Sequence, residues 1–230
     1  MFVPPLKDIY KYPTLIRMDG EQRLYQTDSG NLPSVTTILS ATASEEKKAA
    51  LAGWRTYVGD TKADEIVKEA CDIGTLMHEN LENRLMLKPD HPGNMPMRIL
   101  ARNMADCIQG SAWPNINEVW GQEVQLYYRG LWAGTSDLVG VHKNRPAIMD
   151  YKNSRSPKKK EDIDSYFQQG AAYALAHNQM FGTDINTVVI FMCVRKDPKN
   201  LVYLEYEVTG SEFDFYRDQW IEAVSKFYQK

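Results

Sequence analysis

The chain has 230 residues, of which 43% are hydrophobic and 25% charged, ordinary values for a soluble globular protein long enough to bury a core without disulfide or metal staples. Its 27 basic and 30 acidic side chains leave a net charge of −3, which argues against a histone-like or broadly basic coat protein but is compatible with a nucleic-acid enzyme that uses local basic patches. No apolar run approaches the ~20 residues of a membrane span, and the three scattered cysteines, Cys71, Cys107 and Cys193, form no Cys-x-x-Cys, so a zinc knuckle or cysteine-ligated cluster lacks support.

The start, MFVPPLKDIYKYP, carries neither a secretory nor a transit signature. A reducing cytoplasm is the simplest home for such a chain. Residues 14–26 read as a hairpin around Asp19-Gly20. Pro33 and Ser34 mark a helix start in LPSVTTILS. SEEKKAALAGWRTYV is rich in helix formers, although Ser44 and Lys47 do not make a capping box. The strongest helical segment is 61–87, where Ile66, Val67, Ala70, Ile73, Met77, Leu81 and Leu85 recur at spacings of three and four. KPDHPGNMP, from Lys88 to Pro96, breaks it, and another helix runs from about Met97 to Gln109.

The period then changes. Residues 118–128, 131–141 and 146–152 read as three successive strands, followed by a helix from about Asp162 to Met180. Strands at 187–195 and 201–208 precede a terminal amphipathic helix with Phe213, Tyr216, Trp220, Val224 and Phe227 on one stripe. The order implies an α/β (α+β) domain, a central mixed sheet flanked by helices. It is read as one domain over 1–230, with an N-terminal hairpin and helical elaboration in 1–60 and the core in 61–230.

The middle strands carry the chemistry. If His142-Lys143-Asn144-Arg145 closes a hairpin in which Val141 faces Pro146, Asp137 falls opposite Asp150. Facing Cβ atoms lie roughly 4.5–5.5 Å apart, and like charges at that distance call for a cation between them. Mg²⁺ takes carboxylates together with water and phosphate oxygens. Lys152 shares a face with Asp150, and Tyr151 points the other way, leaving its carbonyl as a further oxygen ligand. A structural salt-bridge cluster would present the same residues. GTLMH puts Gly74 and His78 on one helical face, and QGAAY does the same for Gln169 and Tyr173. Each pair alone also fits an ordinary structural role. The small residues Gly170, Ala171 and Ala172 would let that helix pack closely on the sheet.

Taken in order, GxxxH (Gly74 to His78), GxxD (Gly134 to Asp137), DxK (Asp150 to Lys152) and QxxxY (Gln169 to Tyr173) resemble the RecB-like branch of the PD-(D/E)XK nuclease superfamily. PSVTTIL, GTLMHENLE, IMDYKNS and YFQQGAAYALA extend the likeness over roughly residues 33–182. The sequence is most similar to exonucleases related to the mitochondrial genome maintenance exonuclease and to small phage and bacterial nucleases. The superfamily's Pro-Asp is Ser136-Asp137 here.

The resemblance implies a restriction-endonuclease-like core with an N-terminal helical elaboration, acting as a metal-dependent DNA exonuclease in replication, recombination, repair or degradation. The cytoplasm of a bacterium or of a phage-infected host fits such a role. Asp137 and Asp150 would bind Mg²⁺ or Mn²⁺, with the Tyr151 carbonyl and His78 completing or bordering the site. Lys152 would orient the attacking water, and Gln169 and Tyr173 would fix Lys152 or touch the DNA backbone. Glu123 stands where the family often has an acid. No iron–sulfur cluster is expected, and no P-loop occurs, so ATP-driven unwinding would come from replication or recombination partner proteins.

Arg155, Lys158, Lys159 and Lys160, in a loop leaving the Asp-x-Lys strand, are candidate DNA-backbone contacts, against the alternative of a solvated charged loop. Arg195, Lys196 and Lys199 form a second basic turn. Trp54, Tyr127, Tyr128 and Trp132 are candidates to stack unpaired bases. The helices over roughly 34–60 would, by the same likeness, form an arch admitting a single strand. A structure-selective endonuclease on the same fold and a non-catalytic nucleic-acid-binding protein are the alternative readings. No membrane partner is expected.

Overall fold

The computed structural model describes residues 2–197 and 200–229. Among these residues eight strands and six α-helices follow one another: β1 (Ile16–Met18), β2 (Leu24–Thr27), β3 (Gly30–Pro33), α1 (Val35–Ala41), α2 (Glu45–Val58), α3 (Asp60–Leu85), α4 (Pro96–Ala112), β4 (Ile116–Tyr128), β5 (Trp132–His142), β6 (Arg145–Ser154), α5 (Asp164–Phe181), β7 (Thr187–Asp197), β8 (Asn200–Thr209) and α6 (Ser211–Tyr228). From β4 onward every expected element is present, with bounds shifted by a few residues.

Five strands form the central sheet in the order β4-β5-β6-β7-β8. Only β6 and β7 run parallel, and α5 is the crossover between them. The sheet is therefore mixed and carries helices on both faces. Val35 and Ile38 of α1, Phe167 and Ala171 of α5 and Trp220 of α6 pack on one face. Met77 and Leu81 of α3 and Met104 and Ile108 of α4 pack on the other. Each helix contributes residues at three- and four-residue spacing, the stripe that a helix must bury against a sheet.

Tight turns set the register. Lys143 (φ 46°) and Asn144 (φ 64°) occupy the left-handed region, as a two-residue type I′ hairpin loop requires, and His142 pairs with Arg145, Val141 with Pro146 and Leu138 with Met149. The N-terminal hairpin differs from expectation. Met18 pairs with Leu24, so residues 19–23 form a wider loop than an Asp-Gly turn. In this loop the exposed Asp19 carboxylate accepts hydrogen bonds from both Arg17 and Arg23, bridging its two ends. A third strand, β3, joins it. The sequence hid this strand because four residues opening on Gly30 have no readable period.

Residues 1–60 are of two kinds. Ser34 caps α1 through a 3.0 Å bond from the Thr37 N–H, and α1 buries Val35 and Ile38 in the main core. Ser44 caps α2 by accepting from the Lys47 N–H, which needs no reciprocal acid. Yet α2 has no buried residue, and Leu51 and Tyr57 are exposed.

Helix α5 lies close on the sheet because Gly170 faces Val188. A Cβ at Gly170 would stand 2.2 Å from Val188 Cγ1, far inside contact distance. Gly170→Ala is expected to destabilise the fold by about 1–3 kcal/mol through overpacking. Adding Val188→Ala should return part of that loss, measured by urea denaturation. Strictly additive effects of the two changes would show that the pair is not the point of contact.

Candidate active site

Strands β5 and β6 separate where the two aspartates stand. Their ladder ends at Leu138 opposite Met149. Beyond it β5 stays on β4, and β6 stays on β7 as far as Ser154. Asp137 and Asp150 therefore keep the expected register but lie one step past the last pair, at the mouth of the gap. The expected direct cross-strand pairing is replaced by another contact. Asp137 Oδ2 accepts the backbone N–H of Tyr151 at 2.8 Å, satisfying a donor that the opened ladder leaves free.

Asp150 and Lys152 share the α5 face. Lys152 Nζ lies 2.5 Å from Asp150 Oδ2 and 5.0 Å from the centre of the Tyr166 ring. Tyr151 points to the opposite face as alternation requires, where its hydroxyl accepts from Trp113 Nε1 at 3.1 Å. Its ring meets His78 edge-on at 5.8 Å. The imidazole is delivered by α3, with Nδ1 3.5 Å from Asp137 Oδ2. Asn153 ties β6 to that helix by donating to the Ala70 carbonyl at 2.9 Å.

Glu123 joins the group. It is the one non-glycine residue with positive φ inside a strand among the described residues, at 48°, a conformation costing about 1–2 kcal/mol for an L-residue. The side-chain alternation of β5 changes phase beside it: Trp132 and Leu138, of equal parity, belong to opposite faces. The result is that ligand atoms of His78, Glu123 and Asp137 all lie within 4.8 Å of one another. These three could hold a cation, with Asp150 beside them.

The electrostatics follow from burial among like charges. Desolvation by the surrounding groups, then Asp137, Glu82 and Asp150, push Glu123 up to about 8, although its side chain reaches solvent. Burial and Asp137 push Asp150 up to about 6, against the pull of Lys152. Burial alone would lower Lys152, but Asp150 and Asp137 outweigh it and keep the ammonium charged. Glu82 is raised by burial and by Asp137. Sequence reasoning missed Glu82, which stands one helical turn after His78 on α3 and was legible as its i+4 neighbour.

Gln169 and Tyr173 meet each other, with Gln169 Nε2 donating to Tyr173 Oη at 3.2 Å. Tyr173 packs on Gly134, where a Cβ would come within 2.7 Å of its ring. The GxxD glycine thus makes room for the QxxxY tyrosine. Tyr166 lies over Lys152 on this same helix, three residues before Gln169, a contact that sequence reasoning had missed. Tyr166 and Gln169 also line a cleft of about 680 Å³ bordered by Thr36, Ser40, Ser44 and Gln219.

The basic loop is less open than its sequence suggests. Arg155 pairs with Glu69, which also binds Arg195 at 2.9 Å, and Lys160 grips both carboxylate oxygens of Glu212. Lys158 and Lys159 are exposed, and neither forms an ion pair among the described residues. The side chains of Lys196 and Lys199 lie outside the described residues. Trp132 is fully buried, stacked on Tyr128 at 4.4 Å, and cannot serve as a stacking platform. Tyr127, Tyr128 and Trp54 are partly buried.

Crowded carboxyls make the apo site sensitive to pH. A folded-state pKa raised from 4.5 to about 8 at Glu123 favours the protonated carboxyl in the fold. That stabilisation is present below about pH 4.5 and is lost as pH rises through about 8. In chelator, Glu123→Gln should gain stability relative to the unmutated protein between pH 5 and pH 8.5. A difference that does not vary with pH, by denaturant titration, would show that Glu123 is not held protonated.

No family profile matches the sequence, and no curated protein does. Among solved structures the fold is similar to that of a proposed exonuclease from Eubacterium rectale. The TM-score is 0.50 at 16% identity, covering 68% of this chain and 63% of that one. The chain thus spans less than two thirds of that protein's length. At this identity the likeness shows a shared fold, the mixed sheet with helices on both faces, and the chemistry rests on the side chains described above.

Proposed function

We propose that the protein is a metal-dependent deoxyribonuclease that hydrolyses phosphodiester bonds of single-stranded DNA from free ends. The observation that carries this reading is the gap between β5 and β6, where Asp137, Asp150 and a charged, largely buried Lys152 converge with His78 and Glu123. A purely structural ion pair needs one acid for one lysine; here Glu82 and Glu123 add two further carboxyls. The order of motifs, their resemblance to RecB-like nucleases and the shared fold with a proposed exonuclease support the same conclusion.

Asp137, Glu123 and His78 would hold Mg²⁺ or Mn²⁺, with Asp150 as the fourth group. The donor set fits: carboxylate oxygens suit both ions, and the single imidazole favours Mn²⁺. Such an ion, when bound, acidifies a coordinated water and polarises the scissile phosphate. Lys152 supplies fixed positive charge where the phosphate becomes more negative, and Asp150 holds that ammonium in place. Tyr166 lies against the ammonium and limits its motion. Tyr173 and Gln169 brace the start of β5, and the adjoining cleft offers a strand hydrogen-bonding partners in Thr36, Ser40, Ser44 and Gln219 and the cations Lys47 and Lys226, beside the acids Glu46, Asp164 and Glu222. Lys158 and Lys159 stand as the phosphate contacts of the basic loop.

The deciding experiment is digestion of end-labelled linear single- and double-stranded DNA, and of circular single strands, with Mg²⁺, with Mn²⁺ and with chelator. Metal-dependent loss of the linear single strand is expected, with the circle resistant. Rapid cutting of the circle would favour an endonuclease, and full activity in chelator would end the metal mechanism. Asp150→Asn should abolish cleavage in a protein that stays folded. Lys152→Ala should lower kcat about 100-fold or more with little change in metal affinity. An unchanged kcat with lost stability would instead make Lys152 a structural partner.

A further inference from the structure

A second cluster lies on the other face of the sheet. His142 ends β5, just before the hairpin turn, and its side chain is completely buried. Neither ring nitrogen has a hydrogen-bond partner among the described residues. A buried imidazole left so pays for a lost donor and a lost acceptor, and a fold seldom keeps both unmet. The ring is aimed at two carboxylates of β8: Nε2 stands 3.7 Å from Glu205 Oε1, and Nδ1 stands 3.7 Å from Glu207 Oε2. Glu205 and Glu207 pair with Phe191 and Val189 of β7, residues of the α3–α4 face. Asp150 and Lys152 occupy the opposite face.

The distances suit an ion between the groups. Two ligand atoms about 2.1 Å from a tetrahedral ion stand roughly 3.4 Å apart, whereas a hydrogen bond would bring them to roughly 2.9 Å. One ligand atom each from His142, Glu205 and Glu207 lies within 4.8 Å of the other two. Burial favours the neutral His142 ring against the pull of the two carboxylates, and the neutral imidazole is the form that binds a metal. Tyr203 orients Glu205 by donating to its Oε2 at 2.6 Å, the kind of outer contact that fixes a ligating carboxylate.

Two cations face the same carboxylates. Lys143 lies 2.5 Å from Glu205 Oε1, and Arg145 lies 2.9 Å from Glu207 Oε1. Both are about half exposed, 49% and 56%, so turning them to solvent forfeits little. Glu207 Oε2, the oxygen facing the ring, is not the one that Arg145 holds.

We propose that His142, Glu205 and Glu207 bind a divalent transition-metal ion of the zinc class, which braces the β5–β6 hairpin against the edge strand β8. One imidazole and two carboxylates suit Zn²⁺, and the nitrogen ligand disfavours Mg²⁺. With one ring nitrogen on the ion, the other donates to the neighbouring carboxylate, an arrangement that fixes the tautomer. The site is structural, separate from the gap that holds Asp137 and Asp150.

The test uses full-length Asp137→Asn/Asp150→Asn protein, stripped with chelator and titrated with Zn²⁺ alone. One ion per chain should bind, raising the melting temperature by about 5 °C at saturation and moving the ring ¹⁵N resonances of His142. Adding Glu205→Gln and Glu207→Gln should weaken binding roughly 100-fold and abolish the thermal shift. The His142 resonances decide the matter even if the quadruple variant unfolds, since they are read without altering the site. Zn²⁺ that leaves them unmoved, or moves only His91, overturns the proposal, as does a thermal shift that survives both glutamine replacements.

Discussion

Four carboxyl groups, those of Glu82, Glu123, Asp137 and Asp150, share the environment of one gap in the sheet, and burial together with mutual repulsion raises three of them above their ordinary range. Carboxylates so placed cannot all ionise without compensation. Protons and Lys152 provide part of it, and a divalent cation would provide the rest. The surrounding structure keeps the gap open against this repulsion. Both strands stay paired on their outer sides past the gap, β6 to β7 without interruption and β5 to β4 except at Glu123 and Asp137, so the separation costs few backbone hydrogen bonds. The Tyr151 N–H that the opening frees is recovered by Asp137 itself.

The groups around the gap stand on rigid elements and not on loops. Trp113 holds the Tyr151 hydroxyl on one face, and Trp132 donates to the Ala172 carbonyl at 3.2 Å on the other. Gly134 and Gly170 let α5 approach until Tyr173 and Val188 touch backbone that any side chain would hold away. Asn153 joins β6 to α3, the helix that carries His78. A site fixed in this way keeps its geometry when charge develops, which is what electrostatic catalysis demands.

Charge outside the gap is arranged locally. The net charge is −3, and several basic residues near the site are committed to Glu69 and Glu212. Exposed pairs of this kind are weak, so a phosphate could compete for Arg155 and Lys160. Lys158 and Lys159 need no such exchange. Helix α2, which buries nothing, makes a different use of the chain from α1, which completes the main core with Val35 and Ile38.

The sequence by itself determined the element order from β4 onward, the mixed sheet and the hairpin register that places Asp137 near Asp150. Strand alternation, helix periodicity and turn chemistry act over a few residues and can be read locally. It also put Lys152 on the face of Asp150 and Tyr151 on the other. Tertiary structure alone decided that β5 and β6 part at Leu138 and Met149, that Glu123 takes a left-handed conformation, and that Tyr166 lies over Lys152. It alone revealed that Arg155 and Lys160 are paired and that Trp132 is core. It alone brought His142 to Glu205 and Glu207, more than sixty residues away. These outcomes depend on which distant side chains compete for the same space and charge, and no local period records that competition.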